Sequence, residues 1–487
     1  MIEVNKSKII QSLFWKLMER GGTQTVQLIV MIVLTRLLLP EDYGLIAIVA
    51  IFISIATLIV DSGFSEALIQ RKEVDNIDLT SVFYLNLFIA TIVYITLYFT
   101  APFIANFFGV PNLILILRIS SLSLFLSAFY SIQQAIIVRN MQFKLLFKST
   151  LFAVFISGIV GLYMAYKNFG VWAIVGQQLT SQLIVTVILC FVIKWKPGFI
   201  FSFESVLKLF SYGWKLVVST LIYTFYTNMQ SLVISRIVSP AMLGFYSRGM
   251  QFPAIFVSNI NGTIQSVMFP TLASQQDNRK QVRRLARRSI VTSSFIIFPM
   301  MVGLAVIAEP LVIILFTEKW LSAVPFLQIF CGYYALWSID ATNLHVIKAL
   351  GHSDIFLKLE ILKFLIGILI LIISIPYGVY GIALGVLINR IITTIIDAYP
   401  NKYLINYSFI AQLKDTKDTI FLSLAMGTIT YSIKGFEFSD IITIIIQIIV
   451  GTVVYVGLAL LFKIESFTYL VFSMKEVIQR KKDVVLD

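Results

Sequence analysis

Charged residues, cysteines and histidines are all scarce in this chain of 487 residues. Charged side chains make up 13% of it, against roughly 25% in a soluble domain, so a water-soluble enzyme and a nucleic-acid-binding protein are excluded. Both cysteines lie within apolar runs, which excludes a disulfide framework. The two histidines lack the spacing of a metal site, and no Walker, GxSxG or HExxH motif is present. We therefore expect no enzymatic activity, no bound metal and no cofactor.

Long apolar runs dominate what is present. Hydrophobic residues make up 58% of the chain, and a helix needs about 20 residues to cross a bilayer. The runs lack the two-residue alternation of barrel strands, so they predict an all-α membrane protein with fourteen transmembrane helices. The predicted spans are 12–38, 43–69, 80–104, 112–138, 149–167, 170–193, 209–238, 244–272, 288–316, 322–348, 356–375, 379–400, 418–433 and 440–462.

Basic residues predict how these spans are oriented. The chain has 38 Lys and Arg residues against 25 Asp and Glu residues, a formal net charge of +13. Most of the basic residues fall on one side of the membrane if both termini lie on that side, and the positive-inside rule makes it the cytoplasmic side. We predict a multi-pass protein with both termini in the cytoplasm.

An internal repeat divides the chain. The segment TRLLLPEDYG (35–44) matches SRIVSPAMLG (235–244), and FGVWAI (169–174) returns as YGVYGI (377–382). The first match aligns Arg36 with Arg236, Pro40 with Pro240 and Gly44 with Gly244. A cation near a helix C-terminus and a proline at the start of the next helix both stabilise a turn, so a structural role is predicted for these six residues.

Six helices in each repeat predict two lobes of equal membrane orientation around a central cavity, as in two-lobed transporters. The predicted N-lobe is 1–198 and the predicted C-lobe is 199–402, preceded by an amphipathic linker helix at 199–211. Residues 403–487 hold the last two helices and a basic cytoplasmic tail. Duplicated lobes favour alternating access over a pore.

Charged residues within the predicted spans are costly unless they face a cavity or a partner. The basic ones that we expect to face the cavity are Arg20, Arg118, Arg248, Lys363 and Arg390. The acids Asp61, Asp340 and Asp397 either couple transport to Na⁺ or H⁺ or pair with the basic residues. Tyr130, Tyr226, Tyr334 and Trp337 are candidates for stacking on sugar rings.

The arrangement of six, six and two helices, the early Trp15-Lys16-Leu17 and the turn Leu34-x-Arg36-x-Leu38-x-Pro40 resemble a known family. It is that of the Wzx-like polysaccharide and O-antigen flippases. They belong to the multidrug/oligosaccharidyl-lipid/polysaccharide (MOP) superfamily, with the MATE transporters and lipid II flippases. The resemblance implies translocation of undecaprenyl-pyrophosphate-linked oligosaccharide across the bacterial cytoplasmic (inner) membrane, for export of exopolysaccharide, O-antigen or capsule. The cavity cations would then bind the pyrophosphate.

The resemblance also implies the partners: a lipid-linked oligosaccharide, membrane lipids and other polysaccharide-assembly proteins, with no nucleic acid and a monomeric chain. Two alternatives stay open. One is a MATE-like, ion-coupled antiporter of drugs or organic cations, which needs an acidic, aromatic cavity. The other is a non-transporting scaffold of a polysaccharide-synthesis complex.

Overall fold

Helices account for every regular element in the part of the chain that the structure describes. The computed structural model describes residues 6–61, 64–71, 74–193, 195–436 and 438–468. Its α-helices are α1 (Lys6–Leu37), α2 (Pro40–Asp61), α3 (Phe64–Gln70), α4 (Asn76–Phe108), α5 (Leu113–Ser120), α6 (Ser123–Arg139), α7 (Phe143–Tyr166), α8 (Val171–Val192), α9 (Phe203–Ile237), α10 (Pro240–Ser274), α11 (Arg279–Val306), α12 (Ala308–Phe316), α13 (Val324–Ala335), α14 (Trp337–Ala349), α15 (Ser353–Ser374), α16 (Gly378–Leu404), α17 (Phe409–Ser432) and α18 (Asp440–Leu461). The all-α class is therefore confirmed.

Eight helical stretches of the described chain are long and apolar enough to cross a membrane. They are Pro40–Asp61, Asn76–Phe108, Leu113–Arg139, Phe143–Tyr166, Val171–Val192, Arg279–Val306, Glu318–Ala349 and Asp440–Leu461. The chain is thus a multi-pass membrane protein. The total of fourteen spans stays a prediction.

Some predicted spans are interrupted in the structure. The predicted span 112–138 contains a turn at residues 121–122, which separates α5 from α6. At this turn the N–H of Leu122 donates to the carbonyl oxygen of Ile119 (3.1 Å), and the N–H of Leu124 donates to that of Ser121 (3.0 Å), so the hydrogen bonding tightens locally to the 3-10 pattern. The predicted span 288–316 likewise divides into α11 and α12 at Ile307. Apolar composition alone does not reveal such interruptions.

Residues 195–202 connect α8 to α9 and are held against the start of α4. The N–H of Ser202 donates to Ser81 Oγ (2.9 Å). Ser202 Oγ accepts a hydrogen bond from the N–H of Ser205 (3.3 Å) and so caps the N-terminus of α9. Because α9 continues from there without a break, the predicted linker helix 199–211 and the seventh predicted span form one helix.

Contacts within the chain define two compact units, Met1–Ser247 and Arg248–Asp487, referred to as unit 1 and unit 2. Helix α9 packs on α2, α3 and α4, which is why unit 1 extends beyond the first six predicted spans. The lobes that the repeat predicts, with boundaries at 198 and 402, stay a prediction.

The two turns of the internal repeat meet inside unit 1. Pro40 begins α2 and Pro240 begins α10, the helical position that proline favours. A Cβ atom added to Gly44 would overlap the carbonyl oxygen of Pro240, and one added to Gly244 would overlap that of Pro40. We name this the Gly–Pro contact. It is reciprocal, and it requires glycine on both sides because backbone touches backbone.

The two arginines of the repeat lie near the C-terminal ends of helices and are exposed. Arg36 is in the last turn of α1 and Arg236 in the last turn of α9. The guanidinium of Arg236 lies 5.2 Å from the centre of the Phe107 ring. These positions suit the structural role predicted for them, since a cation is favourable at the negative end of a helix dipole.

An ion triad joins the start of α11 to α17 and to the segment after α18. Both terminal nitrogens of Arg287 donate to the carboxylate of Glu465 (2.9 and 2.7 Å). Its Nε lies 3.1 Å from Asp415 Oδ2, which also accepts the hydroxyl hydrogen of Tyr407 (2.8 Å). A bidentate pair of this kind fixes orientation as well as distance.

We predict that the Arg287–Glu465 pair stabilises the fold at neutral pH and not in acid. The hydrogen bonds from Arg287 lower the pKa of Glu465 below its ordinary value. Its contribution is therefore fully present above the unfolded pKa of about 4.3 and is lost as the pH falls through the folded pKa. Thermal unfolding of the wild type and Glu465→Gln should differ slightly at pH 7, by about 1 kcal/mol or less because the pair is partly exposed. The difference should shrink as the pH falls through the folded pKa of Glu465. A difference that does not change with pH would contradict the assignment.

Candidate functional site

Five charged side chains gather among α14, α15 and α16 of unit 2, and we call them the buried charge cluster. Its members are Asp340, Glu360, Lys363, Arg390 and Asp397. Four of the five have side chains exposed by 15% or less, and Glu360 by 34%. Charges placed this deep in an apolar bundle are costly unless they are paired. We therefore expect the charged side chains of the cluster to form ion pairs with one another, and they do.

Arg390 and Asp340 form the first pair. Arg390 Nη1 lies 2.6 Å from Asp340 Oδ2, and the pair joins α16 to α14. The guanidinium also lies 4.9 Å from the centre of the Tyr333 ring and 5.3 Å from that of Trp337. A carboxylate and two aromatic rings thus surround the cation, and arginine suits such a site better than lysine does.

Lys363 lies between two carboxylates. Its Nζ is 2.7 Å from Glu360 Oε1 on the same helix and 3.1 Å from Asp397 Oδ1 on α16. The sequence places Asp397 two turns from Arg390 on one face of a helix, yet the structure pairs each of them with a different helix. Counted together with the Arg390–Asp340 pair, the cluster contains three acids and two bases.

A network of neutral amides continues the cluster toward α17. Asn343 and Gln412 exchange two side-chain hydrogen bonds (2.9 and 2.8 Å). Asn401 Nδ2 donates to the Asn343 side-chain oxygen (2.8 Å), and all three residues are buried. We did not predict these residues from the sequence. Asn343 lies three residues after Asp340, and Asn401 lies four residues after Asp397. A search one helical turn beyond each of these two acids would therefore have found both asparagines.

The other predicted cavity residues have protein neighbours of their own. In unit 1, Arg118 Nε donates to the carbonyl oxygen of Tyr98 (3.1 Å), and its guanidinium lies 3.9 Å from the centre of the Tyr98 ring. Asp61 accepts a hydrogen bond from Ser65 Oγ (2.5 Å). In unit 2, Arg248 Nη1 donates to Gln251 Oε1 (2.8 Å). Contact with substrate stays a prediction for each of these residues.

The predicted aromatic residues lie in two settings. Tyr130 of unit 1 packs against an apolar cluster that includes Ile137 and Leu146. Tyr334 of unit 2 is buried and stacks on Trp337, with ring centres 5.2 Å apart. Stacking on sugar stays a prediction for these three. The side chains of two predicted residues, Arg20 and Tyr226, lie outside the part of the chain that the structure describes.

Comparison with known proteins identifies the family. The family described as "Polysaccharide biosynthesis protein" matches residues 33–325, which is more than half of the chain. The chain belongs to this family. The predicted resemblance to polysaccharide flippases is therefore confirmed. The buried charge cluster lies C-terminal to the matched segment.

Curated relatives of the chain span most of its length. The succinoglycan biosynthesis transport protein ExoT of Rhizobium meliloti is 25% identical, over 72% of this chain and 71% of its own. The lipopolysaccharide biosynthesis protein WzxC of Escherichia coli is 26% identical, over 76% of each. The teichuronic acid biosynthesis protein TuaB of Bacillus subtilis is 24% identical, over 78% of this chain and 79% of its own.

Solved structures agree on the fold. The lipid II flippase MurJ, in an inward closed conformation, aligns with a TM-score of 0.72 and 20% identity, over 93% of this chain and 98% of its own. An inward-facing multidrug resistance MATE family transporter of the MOP superfamily aligns with a TM-score of 0.61 and 16% identity, over 79% and 94%. Structural similarity at sequence identities this low establishes the fold but not the substrate.

Proposed function

We propose that the chain is a flippase that moves undecaprenyl-pyrophosphate-linked oligosaccharide from the cytoplasmic to the external leaflet of the bacterial cytoplasmic membrane. The chain works by alternating access with both termini in the cytoplasm. The observation that carries the proposal is the fold: its likeness to a lipid II flippase extends over 93% of the chain. Membership of the polysaccharide biosynthesis family supports an oligosaccharide as the cargo.

In this proposal, Arg118 contacts the pyrophosphate directly. The guanidinium of Arg118 makes no ion pair with a carboxylate among the residues that the structure describes, whereas Lys363 pairs with two carboxylates and Arg390 with one. An arginine without a counter-ion can bind a phosphate without first releasing an acid. Asp340 and Asp397 act as counter-ions of the basic residues, and they hold the helices of unit 2 together.

The test is export of glycan by a host whose own flippase gene has been deleted. The wild-type chain should restore export, and Arg118→Ala should lower it by about tenfold or more, because a hydrogen bond to a charged group contributes about 1.5–3 kcal/mol. Arg118→Lys should retain part of the activity. Arg236→Ala is the matched control, since it removes the same charge from another arginine that lies over an aromatic ring in unit 1. Equal export by Arg118→Ala and Arg236→Ala would remove Arg118 from the substrate path.

A second candidate function is an ion-coupled antiporter of organic cations. The observation that favours it is the excess of one carboxylate in the buried charge cluster, which lies beside Tyr333 and Trp337. An antiporter would expel a fluorescent cation from vesicles in response to a Na⁺ or H⁺ gradient and would not restore glycan export. Export without cation transport would exclude it.

A further inference from the structure

The first ten residues of α11 are the most basic stretch of the described chain. Six of them are basic: Arg279, Lys280, Arg283, Arg284, Arg287 and Arg288. The helix becomes apolar from Ile290 onward, and it is long and apolar enough to cross a membrane. The six cations therefore directly precede the apolar part of this helix.

The six residues form two rows with helical spacing of four. The inner row is Arg279, Arg283 and Arg287, and each member contacts another part of unit 2. Arg279 Nη1 donates to the carbonyl oxygen of Leu404 (3.4 Å), and Arg283 lies 6.0 Å from the centre of the Tyr407 ring. Arg287 belongs to the ion triad with two acids. Arg287 is thus fixed by ion pairs, and Arg279 and Arg283 make weaker contacts with the rest of unit 2.

The outer row is Lys280, Arg284 and Arg288, and all three side chains are exposed. Lys280 and Arg284 make no ion pair or hydrogen bond with the residues that the structure describes, and Arg284 and Arg288 repel each other. Like charges one turn apart on a helix, such as Lys280 and Arg284, cost free energy where no acid neutralises them. The row therefore favours an anion from outside the chain.

The repeat offers a comparison inside the same protein. The third predicted span pairs with the ninth, so the start of α4 corresponds to the start of α11. The start of α4 carries Asp75 and Asp78 instead of a basic row, and Asp78 pairs with Arg71 (3.0 Å). A helix can thus begin at this point of the repeat without a basic row, as α4 does. The basic row belongs to one half of the chain.

We propose that the outer row binds the phosphate headgroups of anionic phospholipids. The first ten residues of α11 carry six basic side chains, and clusters of four to eight Lys and Arg residues beside a transmembrane helix attract such lipids. Lys280 and Arg284 are four residues apart, or about 6 Å along a helix, so both cations can reach headgroup phosphates at one membrane surface. The inference does not depend on the proposed transport function.

The test measures lipid binding by the purified full-length chain, using native mass spectrometry with phosphatidylglycerol and phosphatidylcholine as probes. We expect the wild type to bind phosphatidylglycerol more tightly, with an affinity that salt weakens. Lys280→Gln/Arg284→Gln should lower that affinity about tenfold or more and leave phosphatidylcholine binding and thermal unfolding unchanged. The matched control is Lys414→Gln/Lys417→Gln, which removes two exposed charges from a stretch that also carries Asp415 and Asp418.

Two results would overturn the proposal. One is an equal loss of phosphatidylglycerol binding in both double variants, or no loss in either. The other comes from a third probe, undecaprenyl pyrophosphate. If this lipid binds at least tenfold more tightly than phosphatidylglycerol, and Lys280→Gln/Arg284→Gln abolishes its binding, the outer row is a capture site for a lipid-linked cargo. Equal binding of the two anionic lipids would support the proposal.

Discussion

Replacing Arg390 by alanine should lower the free energy of unfolding by about 3–5 kcal/mol. The substitution leaves Asp340 as a buried carboxylate whose counter-ion lay 2.6 Å away. It also removes a cation that lies beside the rings of Tyr333 and Trp337. Chemical unfolding in detergent, followed by the fluorescence of tryptophan, would measure the loss. Lys402→Ala is the control on the same helix, since its side chain is exposed, and it should cost less than about 1 kcal/mol.

The double variant Asp340→Asn/Arg390→Met separates pairing from transport. Replacing both members of a buried ion pair by neutral groups is often nearly neutral for stability, so most of the loss in Arg390→Ala should be recovered. If the double variant is stable and exports glycan, the pair has a structural role. An Arg390→Ala variant as stable as the wild type would contradict the assigned pairing, and a loss of export in that stable variant would point to substrate contact.

The Gly–Pro contact gives the second large effect. In Gly44→Ala the added methyl group meets the carbonyl oxygen of Pro240, and in Gly244→Ala it meets that of Pro40. Because the obstructing atoms belong to the backbone, no side chain can turn away, and α2 and α10 must separate. We expect each variant to lose about 1–3 kcal/mol or more. Gly457→Ala is the control: its Cβ would meet nothing within 4 Å, so helix propensity should stabilise it by up to about 1 kcal/mol.

The double variant Gly44→Ala/Gly244→Ala tests whether the contact is shared. Once the helices have separated to admit one methyl group, the second enters at little further cost. The two losses should therefore sum to clearly more than the loss in the double variant, as expected for residues that contact the same neighbours. Additive losses would show that the two glycines act independently, and the reciprocal contact would then be wrong.

The fold class and the positions of the charges could be predicted from the sequence, because both depend on composition along the chain. Arg390, Asp340, Lys363 and Asp397 stand out as charges within apolar runs. Their partners could not be predicted, since pairing depends on which helices are neighbours. Arg390 and Asp397 share one face of α16, yet Arg390 pairs with an acid of α14 and Asp397 pairs with a base of α15.

Neutral polar residues and turns were harder to predict. Asn343, Gln412 and Asn401 carry no charge, so a search for charged residues passes over them, although they tie three helices together. The turn at residues 121–122 lies inside a run that remains apolar, so composition does not mark it. The repeat was visible in the sequence as matching residues around Gly44 and Gly244. Only the structure shows that each of these glycines contacts the turn of the other repeat.

The reciprocal meeting of Gly44 with Pro240 and of Gly244 with Pro40 has an evolutionary consequence. Each turn presents the same small patch and receives the same patch, which is the property of an isologous interface between two identical subunits. An ancestral polypeptide with a single repeat could already have made this contact by dimerising. Gene duplication and fusion would then have joined two self-complementary copies without inventing a new surface.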